Sequence, residues 1–305
     1  MRRTSPRSQR LLRCILAVTT LAFVTTCARE QTTAQQPSTA APQKVFKAPA
    51  VSPTSPRTHR IVSLSPAATE ALFAVGCGAQ LVARDGWSDF PAAARKVPAL
   101  KGLVPSAEAV LATRPTLVLT HFPPERLVKP LRAAGVEVLA LSPQTLKQIS
   151  ETFVTIGERC GAADAGAKLK ERFMRAFAER GTTKDGPRVY LELDPGGGRP
   201  HTVGGASFIH ALIAAAGGQG LFPERGAWLQ VSAEEVLIRK PELVVLTGTS
   251  PMEDQRRLAK RPGWNSCAAC AADRVRVVHP DLLTRPGPRL VEGLKLLRRW
   301  VRDSP

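Results

Sequence analysis

Two of the six cysteines, Cys267 and Cys270, form a Cys-Ala-Ala-Cys motif. This spacing suits a disulfide, half of a metal site or a redox pair. No second cysteine pair at zinc spacing accompanies the motif and no histidine follows Cys270, which argues against a structural zinc site and against covalently attached haem. In an oxidising compartment a local disulfide is therefore the simplest expectation. Cys77 and Cys160 are either buried thiols or a second pair.

Serine and histidine side chains give little sign of catalysis. Ser65 precedes Pro66 in a turn at the end of a predicted strand, and neither Ser65 nor Ser207 lies in a Gly-X-Ser-X-Gly motif. A hydrolase would also need a partnered histidine and carboxylate. We therefore expect that the chain is not an enzyme and needs no cofactor. A free metal ion would need several converging ligands, but the histidines are scattered: His59, His121, His201, His210 and His279.

The four tryptophans divide into two groups by their surroundings. Aromatic residues make up only 5% of the chain, so a tryptophan beside a polar loop is informative. Trp87 and Trp228 lie in such loops, where an aromatic side chain is typical of a ligand contact, although a place in the core is the alternative. Trp264 in a Pro-Gly-Trp turn and Trp300 on a predicted helix fit the core better.

Strand-like and helix-like patterns alternate in the first part of the folded region. The β-branched, apolar run at residues 59–66 is predicted to be a buried strand that ends in a turn. Apolar residues at helical spacing follow it and stop at Gly76 and Gly78. Such alternation predicts a parallel, doubly wound α/β lobe. The further predicted strands are residues 81–83, 115–120 and 136–141, and the predicted helices are residues 69–75, 106–112 and 125–134.

The middle of the chain carries helical patterns only. Residues 146–180 contain no convincing strand, and their apolar residues stand at helical spacing. The later part, residues 163–180, is predicted to be one long connecting helix. Alternation then resumes, with strands at residues 188–193, 243–246 and 275–278 and helices at residues 207–216, 232–238 and 289–301.

An internal echo relates the two alternating regions. Residues 106–120 run from Ser-Ala-Glu through Pro115 into an apolar strand, and residues 232–247 repeat this theme with Pro241 at the same place. The echo predicts two similar α/β lobes related by pseudo-symmetry, with a ligand cleft between them. The expected organisation is an N-terminal lobe over residues 59–145, a helical connector over residues 146–185 and a C-terminal lobe over residues 186–305.

The first residues have the features of an export signal. An arginine-rich start runs into an apolar stretch over residues 11–24, which is too short to span a bilayer comfortably. The stretch ends at Cys27 in a pattern that resembles a bacterial lipobox, with Thr26 in place of the usual small residue. We expect a signal peptide over residues 1–27, lipidation of Cys27, and a location in the periplasm or on the outer face of the cytoplasmic membrane. Residues 28–58 are expected to be a flexible tether.

The composition is that of a basic globular protein. Hydrophobic residues make up 43% and charged residues 22% of the chain, which argues against general disorder. The formal net charge is +18, but the Lys and Arg residues are scattered and no nucleic-acid motif accompanies them. We expect a monomer that binds no nucleic acid.

Three motifs carry a resemblance to a known class of proteins. Arg-Ile-Val-Ser-Leu-Ser-Pro-Ala-Ala-Thr-Glu at residues 60–70 resembles the signature of ABC-importer solute-binding proteins in which one long helix joins two α/β lobes. Trp-Ser-Asp-Phe-Pro at residues 87–91 resembles the members that bind cobalamin or haem. The segment at residues 228–234, together with Asp281 and Arg285, resembles the cobalamin-binding members. The resemblance covers residues 60–301.

The resemblance implies that the ligand is cobalamin or a related corrinoid. A corrin ring is a broad apolar plate fringed by amides, which flat aromatic side chains and a few polar groups can hold in a cleft. Trp87, His201 and Trp228 match positions where the family has aromatic ligand contacts. Asp281 and Arg285 match polar contacts, where the carboxylate accepts from corrin amides and the guanidinium donates to a carbonyl or a phosphate. Alternatively, Asp281 and Arg285 simply pair with each other.

Glu108 and Glu234 occupy equivalent places in the two repeated segments, each at the start of a helix. In the resembling family such a pair meets arginine pockets on two permease subunits, so the resemblance implies permease and ATPase partners. Charges spaced across two lobes mainly steer and orient a complex. Their alternative role is to stabilise the positive end of a helix dipole.

The nearest alternative is a haem- or ferric-siderophore-binding protein of the same fold. Haem-binding members usually supply a tyrosine or histidine to the iron. Tyr190 is the only tyrosine and lies in a predicted strand, so the haem alternative depends on His201. The sequence favours an extracytoplasmic corrinoid-binding protein of an ABC importer over this alternative, and both over a hydrolase.

Overall fold

The structure is a computed structural model that describes residues 59–102, 104–178, 185–193 and 199–304. These residues belong to one compact unit, Ala50–Pro305. The predicted signal peptide and tether, with Cys27, lie outside the described residues. Within the described part of the chain, no helix is both long enough and apolar enough to cross a membrane.

The first lobe is built on a four-stranded parallel sheet. Its strands are β1 (Ile61–Leu64), β2 (Leu81–Arg84), β3 (Leu117–Thr120) and β4 (Glu137–Ala140), in the order β2-β1-β3-β4. Successive strand residues face opposite sides, and both sides are buried: Ile61 joins one apolar cluster and Val62 the other. Helices cover both faces, as a parallel sheet requires: α1 (Pro66–Ala74), α2 (Ala107–Leu111) and α3 (Glu125–Ala133).

Two helices, α4 (Leu146–Arg159) and α5 (Ala163–Ala178), connect the lobes in sequence. They pack closely because Gly157 and Gly166 face each other, and a Cβ added at Gly166 would lie 2.6 Å from the carbonyl oxygen of Phe153. The predicted connecting helix at residues 163–180 is thus present as α5, and its last two predicted residues lie outside the described residues. α4 contacts both α1 and the second lobe.

The second lobe contains a mixed sheet. Three parallel strands, β5 (Arg188–Leu193), β9 (Leu243–Thr247) and β10 (Val275–Val278), correspond to the predicted alternation. The short strands β6 (His201–Val203) and β8 (Trp228–Gln230) extend the sheet in antiparallel pairs, and β7 (Gln219–Gly220) lies beside β5. The sequence predicted only the parallel part. The helices are α6 (Phe208–Ala215), α7 (Ala233–Ile238), α8 (Pro251–Ala259), α9 (Ala268–Ala271) and α10 (Leu290–Arg302).

One apolar core runs through both lobes. It joins Leu119 of the first sheet and Val245 of the second through residues of α4, α5, α6 and α10. Among these residues, the rings of Phe153 and Phe173 pack edge to face, with their centroids 5.2 Å apart. Each sheet also has a separate cluster on its outer face. A shared core of this kind favours a firm association of the lobes over a loose hinge.

The internal echo is confirmed by matching backbone geometry. Arg114 and Lys240, each just before the repeated proline, have positive φ angles of 50° and 49°. Their carbonyl oxygens accept hydrogen bonds from the guanidinium groups of Arg60, at 3.0 Å, and Arg188, at 2.9 Å. The two arginines precede or begin the first strand of each lobe. The repeated sequence therefore builds the same helix-to-strand connection twice.

The cysteines match the expectation for one pair and differ from it for the other. Cys77 and Cys160 form a disulfide between the first lobe and the end of α4. Cys267 and Cys270 are free thiols rather than the local disulfide that the sequence favoured. Cys267 is the N-cap of the short helix α9, where its sulfur accepts a hydrogen bond from the backbone N–H of Cys270 at 3.4 Å. Its interaction with the Cys270 thiol lowers the pKa of Cys267 to about 7.

Candidate functional site

The loop after β2 presents Trp87 to solvent. The carboxylate of Asp85 accepts hydrogen bonds from the backbone N–H groups of Trp87, at 2.9 Å, and Ser88, at 2.7 Å. Such an aspartate-centred turn fixes the loop locally. Asp85 is itself buried, and this burial raises the pKa of its carboxyl group against the opposing effect of the hydrogen bonds. The backbone of this loop is therefore fixed, and the indole of Trp87 projects from it with 61% of the residue exposed.

A second exposed surface lies on the antiparallel strands of the second lobe. His201 pairs directly with Gln230, and Val203 with Trp228. Opposed residues of an antiparallel pair share one face of the sheet, so His201, Trp228 and Gln230 lie together; we call this set the β6–β8 face. All three side chains are exposed. Trp228 is supported from behind by the edge of Phe208, with ring centroids 6.2 Å apart, and remains 51% exposed.

A cluster of charged side chains joins the two lobes. Glu70 of α1 lies 2.6 Å from the guanidinium of Arg289 and 3.7 Å from that of Arg285. Asp281 pairs with Arg285 at 2.7 Å and with Arg289 at 3.3 Å. Asp89, two residues after Trp87, lies 3.6 Å from Arg285. The ring of Phe90 lies under Arg289, 4.1 Å from the guanidinium carbon.

Glu70 is buried at the centre of this cluster, its partners are half-buried, and the cluster is incompletely hydrogen-bonded. Burial raises the pKa of Glu70, and the guanidinium groups of Arg289 and Arg285 lower it to a smaller extent. Three of its buried atoms have no hydrogen-bond partner in the described part of the chain: Glu70 Oε2, Arg285 Nη1 and Arg289 Nε. Asp281 and Arg285, the two predicted polar ligand contacts, are thus paired with each other in the structure and also tied to the first lobe.

A small pocket lies at the carboxyl ends of the first-lobe strands. Ser65, His121 and Leu141, which follow β1, β3 and β4, line it together with Pro286 of the second lobe. His121 Nδ1 lies 2.7 Å from the carbonyl oxygen of Leu141. A carbonyl only accepts, so Nδ1 carries the proton and Nε2 is the acceptor in the neutral ring. The pocket has about 10 Å³ of free space, which is room for roughly one water molecule, so it does not hold a ligand by itself.

Glu108 and Glu234 have matching surroundings in the two lobes. Each stands in the first turn of its helix, after Ser106 and Ser232, which cap α2 and α7. The pKa of each carboxyl is lowered by the same causes, its own backbone N–H first and the capping serine second. Both side chains are exposed. They are therefore two anionic groups in equivalent positions, one on each lobe.

The structure separates the tryptophans as the sequence suggested. Trp264 is 1% exposed and belongs to the outer core of the second lobe, and Trp300 is half-buried against the shared core. Sequence reasoning overlooked three elements near the site: the buried Glu70, the ring of Phe90 and His121 in its pocket. Glu70 lies inside the recognised signature at residues 60–70, and its place in a predicted helix beside an apolar run gave the only sign of burial.

A family profile described as periplasmic binding protein matches residues 61–282. The chain belongs to this family. Its members are binding proteins that work outside the cytoplasm, which agrees with the expectation that the chain is not an enzyme. The expected two-lobed α/β architecture is confirmed by solved members of the same class.

Several relatives are similar over most of the chain. The vitamin B12-binding protein of Photorhabdus laumondii is 29% identical over 256 residues, which cover 80% of this chain and 88% of that protein. An uncharacterized ABC transporter substrate-binding lipoprotein of Bacillus subtilis, YvrC, is 29% identical over 253 residues, covering 79% of each.

Solved structures share the fold. The periplasmic vitamin B12 binding protein BtuF of Vibrio cholerae has a TM-score of 0.66 at 22% identity, over 81% of this chain and 98% of that one. The periplasmic heme-binding protein HutB of the same organism has a TM-score of 0.72 at 21% identity, over 80% and 98%. Corrinoid binders and haem binders therefore share this architecture, and the fold alone does not choose between them.

Proposed function

We propose that the chain captures cobalamin or a related corrinoid outside the cytoplasm and delivers it to the permease and ATPase subunits of an ABC importer. The relatives named vitamin B12-binding protein and ABC transporter substrate-binding lipoprotein support this proposal. Their similarity extends over about four-fifths of the chain, so it includes both lobes.

The observation that carries the proposal is the pair of exposed indoles, one on each lobe. Tryptophan is on average a highly buried residue, and large exposed apolar groups often mark a binding surface. Trp87 and Trp228 are 61% and 51% exposed, yet the backbone around each is fixed by Asp85 and by strand pairing. Two flat rings on a fixed backbone suit a flat apolar ligand, because little backbone entropy is lost on binding.

Polar groups beside these rings suit the amides at the edge of a corrin. His201 and Gln230 share the β6–β8 face with Trp228 and offer a ring nitrogen and a carboxamide. Asp281 and Arg285 lie in the charged cluster that includes Asp89, two residues from Trp87. We assign ligand contacts to Trp87, His201, Trp228, Asp281 and Arg285. The haem alternative keeps one specific argument, the exposed imidazole of His201 on the same face as an indole.

Docking to the permease is assigned to Glu108 and Glu234. Their equivalent positions, exposed carboxylates and lowered pKa values give one negative charge on each lobe at neutral pH. Paired charges of this kind orient a complex and speed its formation. We also propose that the mature chain is a monomer tethered by lipid on Cys27.

The test is retention of the coloured ligand. Purified protein is mixed separately with cobalamin, cobinamide, haem and a ferric hydroxamate, desalted, and read by absorbance; calorimetric titration then gives the affinities. Retention of a corrinoid at near-stoichiometric amounts is the expected result. Retention of haem alone, lost in His201→Ala, would establish the haem alternative, and retention of the siderophore alone would also overturn the corrinoid proposal.

A further inference from the structure

Glu70 is a buried carboxylate of the first lobe whose charged partners all come from the second. It stands on α1 with its side chain 2% exposed. Arg289 donates a hydrogen bond to Glu70 Oε1 at 2.6 Å, across 219 positions of sequence. Arg285 Nη1 lies 3.7 Å from the same oxygen. One carboxylate oxygen thus faces two guanidinium groups that belong to the opposite lobe.

The backbone of the two lobes is also closely packed around the contact between Glu70 and Arg289. A Cβ added at Gly287, between the two arginines, would lie 3.3 Å from the Cα of Ala67 and 3.4 Å from Glu70 Oε2. The loop that carries the arginines therefore rests directly on the first turn of α1. Phe90 of the first lobe also contacts this loop, because its ring lies under the guanidinium of Arg289.

The orientation of the Arg285 side chain is restricted by the carboxylates around it, among them Glu70. Arg285 is held by Asp281 of its own lobe at 2.7 Å, and by Glu70 and Asp89 of the first lobe at 3.7 and 3.6 Å. Its Nη1 is buried and has charged neighbours but no hydrogen bond in the described part of the chain. A guanidinium cannot lose its proton in proteins, so its direction is decided by which carboxylates surround it.

The role of Glu70 is orientation more than stability. Burying charges costs free energy that a pair recovers only with good geometry, and replacing a whole buried ion pair by apolar residues of similar volume is often neutral for folding. For Glu70 the effect of burial on the carboxyl pKa exceeds the effect of the two guanidinium groups. The Glu70 carboxylate lies at the boundary between the lobes in spite of this cost. It is therefore well suited to fixing the arrangement of Arg285 and Arg289.

We propose that Glu70 is a positioning residue of the binding site: it holds Arg285 and Arg289 against the first lobe and thereby aims Arg285 and fixes the two lobes relative to each other. The proposal rests on the proposed function, because Arg285 is assigned to the ligand there. Glu70 itself does not touch the ligand and acts through Arg285.

The first test compares two buried glutamates. Glu70→Gln keeps the shape of the side chain and removes its charge. Glu192→Gln is the matched control, because Glu192 is fully buried and pairs with Arg261 at 2.6 Å, but within the second lobe alone. In cobalamin titrations we expect Glu70→Gln to weaken binding about 10-fold, as for loss of a buried charged partner. Glu192→Gln should leave affinity within about twofold while lowering Tm. Equal affinity in both variants overturns the proposal.

A double-mutant cycle separates positioning from a general defect. If Glu70 acts through Arg285, then Glu70→Gln should add less than about twofold once Arg285→Met is present, because interacting residues are non-additive. Fully additive losses would overturn the proposal. If Arg285→Met leaves cobalamin affinity unchanged, the ligand assignment of Arg285 fails instead, which distinguishes the two failures.

A ligand-free measurement covers the case in which no corrinoid binds. Amide hydrogen exchange in wild-type and Glu70→Gln protein should be faster in the variant at residues 66–74 and 285–289, on both sides of the lobe boundary, and unchanged there in Glu192→Gln. If Glu70→Gln does not fold, Glu70→Asp replaces it, because aspartate keeps the charge but is one methylene too short to keep the 2.6 Å contact with Arg289. This milder variant should weaken cobalamin binding about threefold, as for a weakened ion pair, and unaltered affinity and exchange overturn the proposal.

Discussion

Replacing the exposed indoles tests whether they hold the ligand. A fully buried aromatic side chain removes about 150–250 Å² from water. Trp87 and Trp228 are 61% and 51% exposed, so each keeps on the order of 100 Å² available to a ligand. A flat ligand covers one face, about half of that area, which at ~25 cal/mol per Å² is worth about 1.3 kcal/mol. This corresponds to roughly a 10-fold change in affinity for each ring.

We therefore expect Trp87→Ala and Trp228→Ala each to weaken cobalamin binding about 10-fold, and the double variant about 100-fold if the losses are additive. Calorimetric titration measures this directly. Trp228→Ala also loses the edge contact with Phe208, so unfolding is followed in parallel. Met252→Ala, which removes another large exposed side chain from α8, is the control and should bind normally.

Three outcomes would contradict this reasoning. A loss below about twofold for both tryptophan variants would mean that the ligand does not stack on them. An equal loss in Met252→Ala would mean that the assay reports a general effect of surface substitution. A loss in only one variant would confine the ligand contact to that lobe and remove the argument from paired indoles.

Three further predictions concern docking, covalent stabilisation and pH. Glu108→Ala with Glu234→Ala should leave ligand affinity intact and weaken transport or ligand-stimulated ATPase activity in a reconstituted importer; unchanged uptake would contradict the docking assignment. Cys77→Ala with Cys160→Ala should lower the free energy of unfolding by about 4 kcal/mol under oxidising conditions, because the disulfide closes a loop with a sequence separation of 83, and equal stability in urea titrations would show that the bridge does not form. Burial raises the pKa of Glu70 above its ordinary value of 4.5, so the folded state holds that proton more tightly than the unfolded chain does. The stability of wild type relative to Glu70→Gln should therefore fall as pH rises from 4.5 through the raised pKa, and a constant or rising difference in urea titrations would contradict the assigned direction.

The sequence by itself determined most of the regular elements. Strands β1 to β5, β9 and β10 and the principal helices lie where apolar periodicity placed them, because that periodicity is a local property of the chain. The repeated segment with Pro115 and Pro241 also predicted equivalent connections in the two lobes. Residue types and expected loop context likewise marked Trp87 and Trp228 as different from Trp264, and the structure leaves the first two exposed. The loop expected at Trp228 was wrong, because Trp228 begins the strand β8.

Only the tertiary structure decided which distant groups meet. The strands β6 and β8 have three residues each, too few for a periodic pattern, and they exist through pairing with each other and with β5. Cys77 pairs with Cys160, whereas Cys267 and Cys270 remain thiols. Glu70 meets Arg289 across 219 positions. Contacts of this kind depend on how whole elements pack, and nothing in the local order of residues specifies their partner.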